Sequence, residues 1–127
     1  MQLTIDHREV QGVRVLILSG RIIAGPECDS VRSFIKEFLA NHWTHILLDL
    51  ANVTRIDSTG IGMLVESVIV TAKAGGQLKL VNLPRLIHNI LFTHRLIQAF
   101  DIYPSEKEAL ASFAKKEELV DERHNRT

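Results

Sequence analysis

Between Arg55 and Gly62 the chain reads RIDSTGIG. A carboxylate (Asp57), two hydroxyls (Ser58, Thr59) and two glycines (Gly60, Gly62) follow an apolar run and open an amphipathic helical pattern. Three chemistries use such a set: a serine nucleophile, a glycine-rich phosphate cradle, or a helix cap whose side-chain oxygen accepts an unpaired backbone N–H. Ser58 sits in D-S-T-G rather than G-x-S-x-G, and no histidine is placed by sequence to act as its base. GIG is neither G-x-G-x-x-G nor a Walker loop. Capping needs only Asp57 or Ser58, so the second hydroxyl asks for another explanation. Gly60 and Gly62 keep the first turn narrow, which lets a partner's surface approach the backbone closely. The outward helix face through Gly62, Glu66, Val70 and Lys73 mixes a small residue, an apolar one and opposite charges. That composition suits docking against another protein better than plain solvation.

Other reactive side chains give weaker signals. The six histidines (His7, His42, His45, His88, His94, His124) form no ligand-like cluster, and no metal site is expected. Cys28 lies near a helix start, a position that lowers a thiol pKa. Phe34, however, occupies the position where a C-x5-R phosphatase needs arginine, so a small, partly buried cysteine is the reading. Asp49, ending ILLD, looks like the phospho-acceptor of a receiver domain. Receivers open with strand then helix and carry an acidic pair after the first strand, whereas ILSGRI here holds no acid. No enzyme activity and no cofactor are expected.

These residues must be placed by elements that the pattern defines. LTI near Leu3 and VRVLILSG from Val13 to Gly20, separated by Gln11-Gly12, predict a β-hairpin. Pro26 starts a helix whose Val31, Phe34, Ile35, Phe38 and Leu39 share one face. HILLDL, His45 to Leu50, has the length of a buried strand. The helix from Ser58 places Ile61, Leu64, Val65, Val68, Ile69 and Ala72 inward and stops at Gly75-Gly76. QLKLVN is a strand, and Pro84 opens a helix with Leu86, Ile87, Ile90 and Leu91 inward. FDIYP is an edge-like segment, and Ser105 with Glu108 forms a capping box before Leu110 and Phe113. Trp43 packs at the end of the first helix. The alternation predicts an α/β domain with a mixed, mostly parallel sheet of four to five strands, about four helices, and the first strand antiparallel at one side. In such sheets sites lie beyond the carboxyl ends of strands, where RIDSTGIG falls.

The 127 residues fit one domain, expected over residues 1–116, with 117–127 as a charged extension. A composition of 46% hydrophobic and 24% charged residues allows a full core. With 15 basic and 15 acidic residues the net charge is zero, which gives no electrostatic reason to bind duplex nucleic acid or an anionic membrane. The polar start MQLTIDHREVQG is no signal peptide, and no apolar stretch approaches the ~18 residues of a membrane span. One cysteine excludes an internal disulfide and suits a reducing compartment, so a cytoplasmic protein is expected.

DLANVTRIDSTGIGMLVE closely resembles the core signature of the STAS domain, the family of bacterial anti-sigma factor antagonists. Its usual form is a strand, an acidic residue, then Asp-Ser-Ser/Thr-Gly-aliphatic-Gly opening a helix. The similarity in element order extends from about Leu3 to Phe113. The resemblance implies that Ser58 is phosphorylated by an anti-sigma factor with serine kinase activity. It implies that the unmodified form binds that partner and releases a sigma factor, and that a serine phosphatase restores the complex. The implied partner surface comprises Arg21, Ile22, Asp57, Ser58, Thr59, Gly60, Gly62, Met63, Glu66 and Val70. No direct nucleic-acid or membrane contact is implied, and homo-oligomerisation is left open. One departure stands out: where family members often carry acids after the second strand, this chain has Arg21, Ile22 and Ile23. That leaves an alternative, a non-phosphorylated STAS scaffold or partner-binding subunit of a larger signalling or transport complex.

Overall fold

The computed structural model describes residues 3–114. Its elements are β1 (Leu3–Val10), β2 (Val13–Ile22), α1 (Pro26–Ala40), β3 (His45–Ile56), α2 (Ser58–Lys73), β4 (Gln77–Val81), α3 (Arg85–Thr93), a 3₁₀ turn (Ile97–Ala99) and β5 (Asp101–Tyr103). Residues 106–114 are helical and are called α4. The extension expected at 117–127 lies outside the described residues.

One five-stranded sheet holds the strands in the order β1-β2-β3-β4-β5. β1 pairs antiparallel with β2 through a two-residue turn in which Gln11 and Gly12 have φ of 53° and 81°. Two positive φ values match the right-handed twist of the flanking strands. Every later pairing is parallel. The predicted mixed sheet, with its antiparallel first strand at one side, is therefore the observed one.

Alternation along the strands divides the core in two. Leu16, Leu18, Ile46, Leu48, Leu50, Leu78 and Leu80 face α1, α2 and α3 on one side. Val13, Val15, Leu47 and Val81 face the other way, where Ala109, Leu110 and Phe113 of α4 cover them. On that second side the Lys79 Nζ, though almost fully buried, donates to Ser112 Oγ at 2.7 Å. It also lies 4.7 Å and 5.2 Å from the ring centres of Phe113 and Tyr103, whose faces attract a cation. Ser105 Oγ accepts from the Glu108 N–H, the expected start of α4. Trp43 contacts Phe38 at the end of α1, and Arg14 stacks over its ring.

The structure corrects several readings. β3 runs six residues beyond Leu50, to Ile56, and contains two register shifts against β2, between Ile17/Ser19 and between Gly20/Arg21. Bulges of this kind bend a strand end and re-aim its side chains. β1 extends to Val10 because an edge strand tolerates the exposed Asp6–Glu9 stretch. Cys28 is wholly buried rather than partly so, and burial pushes its thiol pKa up despite the nearby Arg32 guanidinium. In α3, Ile87 and Leu91 are buried, but Leu86 is 52% exposed.

α2 is turned about its axis relative to expectation. Its buried line is Gly60, Met63, Leu64, Ser67 and Thr71. Ile61, Val65 and Val68 pack against the core only in part, Ala72 is exposed, and Ile69 is 47% exposed. The first turn sets this rotation. A Cβ at Gly60 would lie 2.4 Å from the Ile22 carbonyl oxygen and 2.8 Å from Ile56 Cγ1, so only glycine fits where α2 meets β2 and β3. Ser67 stays satisfied inside by donating to the Met63 carbonyl at 2.7 Å.

Candidate functional site

The carboxyl ends of β2 and β3 meet at one rim of the sheet, and Asp57 ties them together. Its backbone is extended, and its Oδ1 accepts from the Gly60 N–H at 2.8 Å, capping α2. Its Oδ2 accepts from the Ala24 N–H at 2.9 Å, reaching the segment between β2 and α1. Its own N–H donates to the Ile22 carbonyl at 3.2 Å. Thr54 Oγ1 adds a bond to the Gly20 carbonyl at 3.2 Å. The GRIIAG and DSTG segments, far apart in sequence, thus become one rigid rim.

Backbone N–H groups of Ala24, Gly60 and Thr59 hold the Asp57 carboxyl below its ordinary pKa of 3.8, because they bond the carboxylate more strongly than the neutral acid. A carboxyl with a lowered folded-state pKa contributes stability that is full above the unfolded value and lost as pH falls through the folded one. In Asp57→Asn the amide carbonyl can accept from one of these donors, but the NH₂ cannot accept from the other. Thermal melts should therefore show wild type more stable than Asp57→Asn at pH 7. The two should converge as pH drops below 3.8. A difference independent of pH would refute the clamp as a charged group.

With the cap supplied by Asp57, Ser58 is released from that duty. It is the first residue of α2 and is exposed, as is Thr59. Further along, Gly62, Glu66, Val70 and Lys73 all reach solvent, so the expected outward face is real. A Cβ at Gly62 would meet nothing within 4 Å. Glu66 pairs with Arg32 of α1 at 3.3 Å, and Arg32 also pairs with Asp29 at 3.2 Å. Exposed pairs of this type contribute about 0.2–1 kcal/mol. Asp29, Arg32 and Glu66 line an open groove of about 550 Å³ between the two helices, together with Lys36, Leu39 and Val70.

Three expected contact residues lie under this surface instead of on it. Ile22 and Met63 have buried side chains in the main core, and Gly60 is pressed against Ile22. They shape the rim from beneath. Arg21 is partly exposed and pairs in register with Arg55, next to the buried pair Ile22 and Ile56. Because neighbours on a strand point to opposite faces, Arg21 and Arg55 leave the sheet away from the α1–α3 layer. The rim brings Arg21 near the turn but not onto the α2 face. Ala24, Thr54 and Arg32 belong to the arrangement yet have no sequence signature. A second carboxylate oxygen is the one hint that Asp57 bonds beyond its own helix.

Among the described residues no three His, Cys, Asp or Glu side chains are grouped as a metal ion would need. No helix there is long and apolar enough to cross a membrane.

Comparison with known proteins gives a consistent picture. An anti-sigma F factor antagonist of Paenibacillus polymyxa is 28% identical over 111 residues, 87% of this chain and 94% of that protein. A candidate anti-sigma factor antagonist from Thermotoga maritima has a crystal structure that superposes with a TM-score of 0.80 at 22% identity. It covers 87% of this chain and 94% of its own. The cell fate determinant SpoIIAA of Bacillus, in its phosphorylated form, gives 0.67 at 16% identity over 86% and 98% of the two chains. These two structures share the fold. The sequence profile of the STAS domain matches residues 4–109, from β1 into α4, and the chain belongs to the STAS domain family.

Proposed function

We propose that this protein is an anti-sigma factor antagonist, acting in the cytoplasm by reversible binding without catalysis of its own. In the unmodified form it binds an anti-sigma factor that is also a serine kinase, and the sigma factor is released. The kinase moves the γ-phosphoryl group of ATP to Ser58 Oγ, ADP departs, and the complex dissociates. A serine phosphatase hydrolyses the ester to inorganic phosphate and regenerates the hydroxyl.

The observation that carries this reading is the division of labour at the turn. Asp57 does the capping, and Ser58 presents an exposed hydroxyl at the first position of α2. The Paenibacillus relative's name and the phosphorylated SpoIIAA structure support it. In this reading the partner contacts Ser58, Thr59, Gly62, Glu66 and Val70 directly, with Arg21 at the margin. Ile22, Gly60, Met63 and the Asp57 clamp hold that surface in shape.

A phosphate on Ser58 adds about −1.5 to −2 charges at neutral pH. The free domain accommodates it, since a helix N-terminus favours negative charge. In the complex, the phosphate must lose water against a surface shaped for a hydroxyl. A penalty of about 1.4 kcal/mol already lowers affinity tenfold. Calorimetric titration against the cognate anti-sigma factor tests this. Wild type and Ser58→Ala should bind alike, phosphorylated protein at least about tenfold more weakly, and Ser58→Asp between them. Equal affinities for the phosphorylated and unmodified forms would remove the switch.

A further inference from the structure

α3 carries a surface that the Ser58 turn does not use. Ile87 and Leu91 bury one side of this helix, and Phe92 is turned away from that side at 67% exposure. No other large apolar side chain among the described residues is as exposed, and Leu86 of the same helix is next at 52%. Single exposed apolar residues are ordinary. Here the surroundings differ. His88 stacks on the Phe92 ring at 6.5 Å between centres, and a depression of about 580 Å³ beside Phe92 is lined by Thr93, Arg95, Ile97 and Gln98. Arg85, two helical turns before Phe92, lies on the same stripe.

Charge is distributed just as unevenly. From Ser67 to Phe100 the chain has no Asp or Glu, yet it has Lys73, Lys79, Arg85 and Arg95, in a protein of zero net charge. Lys79 is buried on the far side of the sheet, and Lys73 ends α2. The charges of this stretch that remain on the α3 side are therefore the guanidiniums of Arg85 and Arg95. Aromatic side chains and arginine are the residues enriched where proteins bind proteins, and arginine holds carboxylates with a two-pronged fork. A membrane-surface helix would need a broader apolar face and lysine-rich flanks, which this nine-residue helix lacks.

We propose that α3 is a second docking surface, taking an acidic amphipathic segment of a partner protein. An apolar side chain of that segment enters the depression beside Phe92, and its carboxylates meet Arg85 and Arg95. The residues lining this depression include none of the Ser58 turn, of α2 or of the GRIIAG segment, so the surface shares no residue with the rim bearing Ser58.

The full chain can be titrated with a synthetic helical peptide carrying leucine along one stripe and glutamate elsewhere. The control replaces every glutamate by lysine, and phosphatidylglycerol vesicles form a third arm. Amide chemical-shift changes should concentrate in residues 85–98 for the acidic peptide alone and weaken as salt is raised. Phe92→Ser and the double variant Arg85→Glu/Arg95→Glu should each lower its affinity at least about tenfold, with unchanged circular dichroism. Ser58→Asp should leave it unaltered. Equal binding of the lysine peptide, shifts located elsewhere, no binding, or a Phe92-dependent preference for vesicles would each overturn the proposal.

Discussion

Gly60→Ala is expected to destabilise the domain by roughly 1–3 kcal/mol or more, the range for overpacking a filled site. The added methyl would lie 2.4 Å from the Ile22 carbonyl oxygen and 3.0 Å from Ile22 Cγ2, in addition to Ile56. Its nearest neighbour is backbone, which cannot rotate away, so β2 and α2 must separate. That movement also pulls on Asp57, which bonds both the Gly60 and Ala24 N–H groups. Loss of stability and loss of partner binding should therefore come together. Gly62→Ala is the internal control. Its methyl enters open space, and replacing a helical glycine should gain about 0.5–1 kcal/mol. Urea unfolding of both variants checks the pair, and equal effects at the two positions would contradict the close approach at Gly60.

Leu64→Ala should cost about 2–5 kcal/mol, because Leu64 is wholly buried between α2 and the sheet. Ile69→Ala should stay within about 0.5 kcal/mol, the usual range for surface substitutions. Hydrophobic periodicity alone would give the two similar costs. Urea midpoints with an unchanged denaturant slope would report stability directly. A large loss at Ile69 in the isolated chain would mean that α2 sits in the rotation read from sequence.

That contrast shows where the sequence was legible. Element order, the antiparallel first strand, the α2 start at Asp57-Ser58 and its end at Gly75 all follow from local signals. Each depends on a backbone requirement, such as the Asp57 oxygen that caps Gly60 or the φ of +83° at Gly75. The rotation of α2 does not. Ile61, Val65, Val68, Ile69 and Val70 make that helix apolar on nearly every side, while its buried line includes Ser67 and Thr71. A pattern rule assigns those hydroxyls to solvent, although Ser67 is satisfied by its own helix. The last six residues of β3 escape pattern reading for a related reason: its two bulges break the alternation that marks a strand, and Asn52, Thr54 and Arg55 look like loop. The Asp57–Ala24 bond is invisible to local reading, because its partners meet only after β2 and β3 have paired.

The strand order has a consequence for how the chain acquires this shape. Each strand is laid beside the one that precedes it in sequence, and the order never doubles back. No early strand must wait for a late one to fill a gap between them. Each parallel pairing closes over one helical crossover and never over a whole intervening strand unit. During synthesis the sheet can grow by accretion at one edge as the ribosome delivers it. The Asp57 clamp needs nothing beyond Gly60, so the rim around Ser58 can take form while β4, α3 and β5 are still being made. α4, which follows β5, closes the bare side of the sheet. A ribosome stalled after α2 would thus hold out a nascent chain that already displays its turn but has one hydrophobic face uncovered.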